Sequence, residues 1–136
     1  MEKELEFSAD YFKTEVRDGF EIPAMMKRAW AAQMEVLHVV AGVCKNNGIR
    51  YFADGGTLLG AVRHKGMIPW DDDIDIAVLR KDYDRLIEIL RKNKRIGEEL
   101  EISGYEVDKT DMPFLKVYNK SIAVKAVSYT HLTLPT

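Results

Sequence analysis

The sequence predicts a mixed α/β layer structure, and three observations carry that expectation. Asp73-Ile74-Asp75-Ile76-Ala77-Val78-Leu79 alternates acid or small residue with β-branched apolar residue, the period of a half-buried strand. Two longer stretches, 24–45 and 81–92, repeat apolar residues at helical spacing. These elements alternate along the chain as strand, helix, strand, helix, strand, strand, the order of layered α/β proteins.

The elements follow in sequence. The runs 12–16 and 20–22 flank Arg17-Asp18-Gly19, and Asp-Gly between such runs predicts a hairpin turn. Pro23 suits the first turn of a helix, where its missing N–H costs nothing. Met26, Trp30, Met34, Leu37, Val40, Ala41 and Cys44 then form one expected buried stripe, which ends at Asn46-Asn47-Gly48. A short strand over 49–53 runs into Asp54-Gly55-Gly56-Thr57, with a short helix expected from Leu58 to Arg63. After the acidic strand, a second helix over 81–92 points Tyr83, Leu86, Ile87 and Leu90 inward. The cations of 91–95 suit that helix's C-terminal end. Tyr105–Val107 and Phe114–Tyr118 are expected as two further strands.

At 136 residues the chain is one domain or part of one, with enough length to bury a core. Its net charge of −2 argues against nucleic acid as the main partner. The polar start lacks a signal-peptide core, and no apolar run approaches the ~20 residues that span a bilayer. Cys44 is the single cysteine, so no internal disulfide or zinc cluster is available, and its place on the long helix makes it a core residue. The default compartment is the cytoplasm, from which a substrate at the inner membrane face can still be approached.

Chemistry concentrates between Asp54 and Ile76. Asp73 and Asp75 project from the same face of a strand, and close carboxylates repel unless something relieves them. A hard divalent cation does so, and magnesium commonly uses one or two carboxylates together with phosphate oxygens. Gly55 and Gly56 let the backbone approach a phosphate, the helix start presents free N–H groups, and Thr57 adds a hydroxyl. Arg63, His64 and Lys65 lie on the connection to the acidic strand, where cations can neutralise phosphate charge. Asp71 and Asp72, taken singly, read as a solvated turn. An EF-hand calcium loop starting at Asp71 fails, because its sixth position is Ile76 and its twelfth is Asp82. Trp70 fits either a substrate pocket or support for the strand.

The stretch from Tyr51 through Asp54-Gly55-Gly56-Thr57-Leu58-Leu59-Gly60-Ala61-Val62-Arg63-His64-Lys65-Gly66-Met67-Ile68-Pro69-Trp70-Asp71-Asp72-Asp73 to Ile76, followed by Arg80 and Asp82-Tyr83, closely resembles the LicD family. That family includes bacterial phosphocholine transferases acting on cell-surface polysaccharide and teichoic acid, and fukutin-type ribitol-phosphate transferases. The resemblance covers about residues 11–120. It implies a nucleotidyltransferase-like core, with Gly56-Thr57 as the turn and Asp73 and Asp75 as catalytic ligands of Mg2+ or Mn2+. Arg63, His64 and Lys65 match the family's Arg-His-Lys segment. The implied reaction moves a phospho-alcohol group, phosphocholine foremost, from a CDP-alcohol donor to a glycan acceptor. Two alternatives stay open: a fragment that binds metal and nucleotide without catalysis, and transfer of the nucleotidyl group to a small molecule.

Residues 127–136, Val127 to Thr136, stand apart. They carry no charge and resemble the in-frame translation of a transposon-based sequencing adapter. The expectation is a LicD-type portion over 1–126 that is incomplete at its C-terminus, lacking the superfamily's third carboxylate, and a non-native tail in which His131 has no function.

Overall fold

A computed structural model describes residues 4–93, Ile96, 99–120 and, as a strand, 129–133. A 3-10 turn at Ala9–Phe12 precedes a hairpin of β1 (Glu15–Arg17) and β2 (Phe20–Ile22). Its turn residues Asp18 and Gly19 both take positive φ, 51° and 76°, the geometry that two-residue hairpin turns need. The expected first strand starts late because residues 9–12 coil instead, where Tyr11 packs its ring against Phe7 and Phe12.

Helix α1 (Ala24–Asn46) begins directly after Pro23 and ends at Asn47-Gly48, Gly48 having φ 64°. Its buried face departs from the expected stripe. Trp30, Val40 and Cys44 are buried, but so are Lys27, Ala31, Gln33, Val36, Gly42 and Val43. Met26, Met34, Leu37 and Ala41 are only half-buried. β3 (Tyr51–Ala53), α2 (Gly55–Arg63), β4 (Ile74–Val78) and α3 (Arg80–Lys92) follow. Tyr83, Leu86, Ile87 and Leu90 are the buried residues of α3, as its period predicts. Arg91 and Lys92 close its last turn, while Lys94 and Arg95 lie outside the described residues.

β5 (Leu100–Ser103), the one-turn helix α4 (Tyr105–Asp108), β6 (Leu115–Asn119) and β7 (Tyr129–Thr133) complete the chain. The expected strand at Tyr105–Val107 is α4 instead, and the strand lies just before it. Gly104, at φ 151°, breaks the ladder, and the Asp108 carboxylate accepts hydrogen bonds from Ser103 Oγ and the Gly104 and Thr110 N–H groups. These bonds, that from Ser103 foremost, hold the Asp108 carboxyl down at about 2.

The main sheet has the order β3-β4-β7-β6-β5 and is mixed: β4 and β7 run parallel, and the other pairs are antiparallel. The segment that the sequence left outside the pattern thus occupies the central strand, with His131 in register with Asp75. Tyr, Thr, His, Leu and Thr in succession suit a strand flanked on both sides by hydrogen-bonding partners.

One cluster forms the core. Val36, Val40, Val43 and Cys44 of α1 meet Ile74, Ile76 and Val78 of β4, the four buried residues of α3, and Leu115 and Val117 of β6. Helices α1 and α3 therefore cover one face of the sheet. Each fully buried aliphatic side chain contributes about 1.5–3 kcal/mol. The alternate residues of β4 leave Asp75 on the opposite face, where α2 packs.

Candidate active site

β3 stops at Ala53, and Asp54 turns the chain into α2 from an extended conformation, φ −133° and ψ 163°. Its N–H donates to Asp75 O at 3.1 Å, tying the turn to β4. Its carbonyl accepts the N–H groups of Thr57 and Leu58 at 3.1 and 3.2 Å. The helix accordingly starts at Gly55, earlier than the expected Leu58, so Gly55-Gly56-Thr57 is the first helical turn itself. Gly55 takes φ 50°, which a residue with a Cβ adopts only at a cost. Ahead of Thr57, the leading N–H groups of the helix have no acceptor within it, and the helix dipole places partial positive charge there.

Carboxylates gather at this end of α2. An added Cβ on Gly55 would lie 3.5 Å from Asp75 Oδ2, and one on Gly56 would collide with Asp71 Oδ2. Thr57 Oγ1 accepts the Asp75 N–H at 2.8 Å, so the threonine fastens β4 to α2 and keeps its own proton to donate. Burial pushes the Asp75 carboxyl above its ordinary range, and the charges of Asp71 and Asp54 push it the same way. Asp71, Asp72 and Asp73 each offer an oxygen within 4.8 Å of the others; Asp71 and Asp73 are half-buried and Asp72 is exposed. An all-oxygen set of mutually repelling acids beside a helix N-terminus fits a hard divalent cation such as Mg2+ or Mn2+.

Arg63, His64 and Lys65 stand at the other end of α2, about 12 Å along the axis at helical rise. His64 Nδ1 pairs with Asp18 Oδ2 at 2.6 Å, and its ring stands edge-on to Trp70 at 5.8 Å. Trp70 also meets Phe20 edge-on at 5.9 Å, so it fastens the connection to the hairpin while staying largely exposed. Lys65 Nζ donates to Val62 O at 3.4 Å, and Arg63 is exposed. The chain can return along α2 because Gly60 lets it pass: a Cβ there would strike Gly66 O and approach Ile68 N at 3.0 Å. That return brings Asp71 to Gly56.

The sequence-predicted residues therefore form two groups. Gly55, Gly56, Thr57 and Asp75 come together, Asp73 lies with Asp71 and Asp72, and Arg63, His64 and Lys65 stand at the other end of α2, where His64 pairs with the hairpin. Asp54 and Asp71 join the first group unanticipated. Asp54 could have been found as the acid in the position before a helix, and Asp71 by extending the alternation of Asp73 and Asp75 one step back. Two side chains of α1 also reach this loop: Trp30, which the apolar period marks as buried, and Gln33, which no pattern in the sequence marks. A separate cavity of about 250 Å³, lined by Glu35, His38, Glu99 and Asn119 among others, includes none of these residues.

Comparison with known proteins agrees with the resemblance. The family model for the LicD/FKTN/FKRP nucleotidyltransferase domain matches residues 48–132, more than half of the chain. The lipopolysaccharide cholinephosphotransferase LicD of Haemophilus influenzae is 45% identical over 56 residues, covering 41% of this chain and 21% of that protein. The human ribitol 5-phosphate transferase FKRP is 45% identical over 51 residues, 38% of this chain and 10% of that protein. The mouse ribitol-5-phosphate transferase FKTN is 33% identical over 66 residues, 48% of this chain and 14% of that protein. The matched stretch thus spans about a fifth or less of these curated relatives.

Proposed function

Because the chain belongs to the LicD/FKTN/FKRP nucleotidyltransferase-domain family, we propose that it works in a metal-dependent transferase of phospho-alcohol groups. The donor in this reading is a CDP-linked alcohol, and the acceptor is a hydroxyl of a cell-surface glycan or teichoic acid precursor. The observation that carries it is the approach of Asp71 and Asp75 to the glycine N-terminus of α2, with Asp73 beside Asp71.

Asp73 and Asp75, with Asp71 beside them, would hold Mg2+ or Mn2+. When bound, the cation supplies charge neutralisation for the diphosphate and its departing half. Gly55 and Gly56 offer N–H groups to phosphate oxygens, and Thr57 can add its hydroxyl proton. Arg63, His64 and Lys65, at the far end of α2, are suited to the part of the substrate distant from the reacting phosphorus. The acceptor oxygen forms a bond to the alcohol-bearing phosphorus, the diphosphate bridge breaks, and CMP leaves with the acceptor's proton passing to solvent or base.

Phosphocholine is the preferred alcohol phosphate, since the Haemophilus relative is named a cholinephosphotransferase; ribitol phosphate is the rival that the human relative's name supplies. No helix among the described residues is long and apolar enough to cross a membrane. We place the protein in the cytoplasm, working at the inner membrane face. Residues 127–136 remain proposed as adapter-derived; a source gene coding natively through this decapeptide would overturn that origin.

The test is donor profiling with CDP-choline and CDP-ribitol labelled separately in the nucleoside and in the alcohol. Alcohol label on the acceptor, with CMP released, is expected. Nucleoside label on the acceptor would replace the reading with nucleotidyl transfer, and donor binding without turnover would favour the binding-only alternative.

A further inference from the structure

Helix α1 sends two hydrogen-bond donors from its buried face to the backbone of the acid loop. Trp30 Nε1–H donates to Asp71 O at 2.8 Å, and Gln33 Nε2–H donates to Asp72 O at 2.5 Å. Trp30 is 2% exposed and Gln33 0%. The orientation of the Gln33 amide is fixed by chemistry, because the Asp72 carbonyl can only accept and the NH2 group must face it. That orientation leaves Gln33 Oε1 buried with no hydrogen-bond partner among the described residues. A buried unpaired acceptor is destabilising, and an apolar side chain of similar shape would avoid it. Gln33 is thus a poor choice for packing and a good one for holding a carbonyl.

We infer that Trp30 and Gln33 are positioning residues, a clamp on α1 that aims the acid loop. Pinning the carbonyls of Asp71 and Asp72 toward α1 leaves the carboxylates to project away from it. On that side Asp71 Oδ2 lies against Gly56, and the Asp71 charge acts on Asp75. Asp72 N–H also donates to Asp71 Oδ1 at 2.9 Å, so fixing the Asp72 backbone fixes the Asp71 carboxylate. Metal centres depend on such outer contacts, whose loss commonly costs 10–100-fold in affinity. The inference rests on the proposed cation site, and it adds the groups that orient it.

The test compares the whole chain with Gln33→Met and Trp30→Phe by thermal melting, Mn2+ titration followed by electron paramagnetic resonance, and amide hydrogen exchange. Gln33→Met keeps the bulk and removes both the donor and the unpaired oxygen. It should melt no lower than the parent, exchange faster at the 71–73 amides, and bind Mn2+ about 10-fold more weakly or worse. Trp30→Phe should also weaken Mn2+ binding, with some loss of melting temperature. Unchanged Mn2+ affinity and unchanged 71–73 exchange in a folded Gln33→Met chain would overturn the clamp. If the parent chain itself binds no Mn2+, the cation reading fails, and faster exchange in Gln33→Met would still support the clamp.

Discussion

Helices α1 and α3 cover the same face of the sheet, yet they are built on different rules. α3 buries Tyr83, Leu86, Ile87 and Leu90, a single apolar stripe with charged residues around it. α1 buries Val36, Val40, Val43 and Cys44 in its second half, but Lys27, Trp30 and Gln33 in its first. Lys27 is held by Glu15 at 3.1 Å and lies over the Tyr11 ring at 5.7 Å; Trp30 and Gln33 hold the acid loop. A helix with one partner writes one period into its sequence. A helix serving a core at one end and a polar site at the other changes its buried face and composition midway.

Variants that separate stability from site geometry distinguish the two helices. Leu86→Ala should have the largest effect on folding, about 2–5 kcal/mol in chemical denaturation, because it empties a fully buried place in the core. Cation binding by the remaining folded chain should not change; a matching loss of affinity would show that α3 also serves the site. Gly60→Ala should cost about 1–3 kcal/mol, since the new methyl meets backbone at Gly66 and Ile68. Here cation affinity should fall as well, because the segment that must move carries Asp71 to Gly56.

Alkali provides a gentler probe of the two helices. Burial raises the Cys44 thiol of α1 from 9.0 to about 11 and the Tyr83 hydroxyl of α3 from 10.0 to about 12. Both groups are favoured neutral in the folded chain. Their contribution is complete below the unfolded values, near 9 and 10, and is lost as pH rises through about 11 and 12. Denaturation midpoints should therefore drop across that window, and Cys44→Ala should remove the earlier part of the drop. The smallest effect is expected at the hairpin: Asp18→Asn removes the carboxylate charge from its contact with His64 and should cost about 0–1 kcal/mol.

The parts legible in the sequence were those fixed by local rules. Asp18-Gly19 marks its hairpin, the alternation through Ile74, Ile76 and Val78 marks β4, and the spacing of Tyr83, Leu86, Ile87 and Leu90 marks α3. The pairing of a glycine helix start with an acidic strand was readable for the same reason, since both lie within one short connected stretch. The rest depends on distant partners. Lys27 and Gln33 look like surface residues until the hairpin and the acid loop fold against them. Tyr105–Val107 has strand composition, but Gly104 and the hydrogen bonds of Asp108 make it a helical turn. Asp71 looks solvated until Gly60 lets its segment lie along α2. The central place of β7 depends on neighbours 50 or more residues away in β4, which no local pattern records.

The N-terminus of α2 and the acid loop are proposed to form one cation site, with α3 outside it. Mg2+ titration of the isotopically labelled chain, followed by amide chemical shifts, tests this most directly. Saturable shifts at Gly55–Thr57 and Asp71–Asp75, with the α3 amides unmoved and the response lost in Asp75→Asn, are predicted. Shifts absent from those segments, or a response that Asp75→Asn leaves intact, would contradict it.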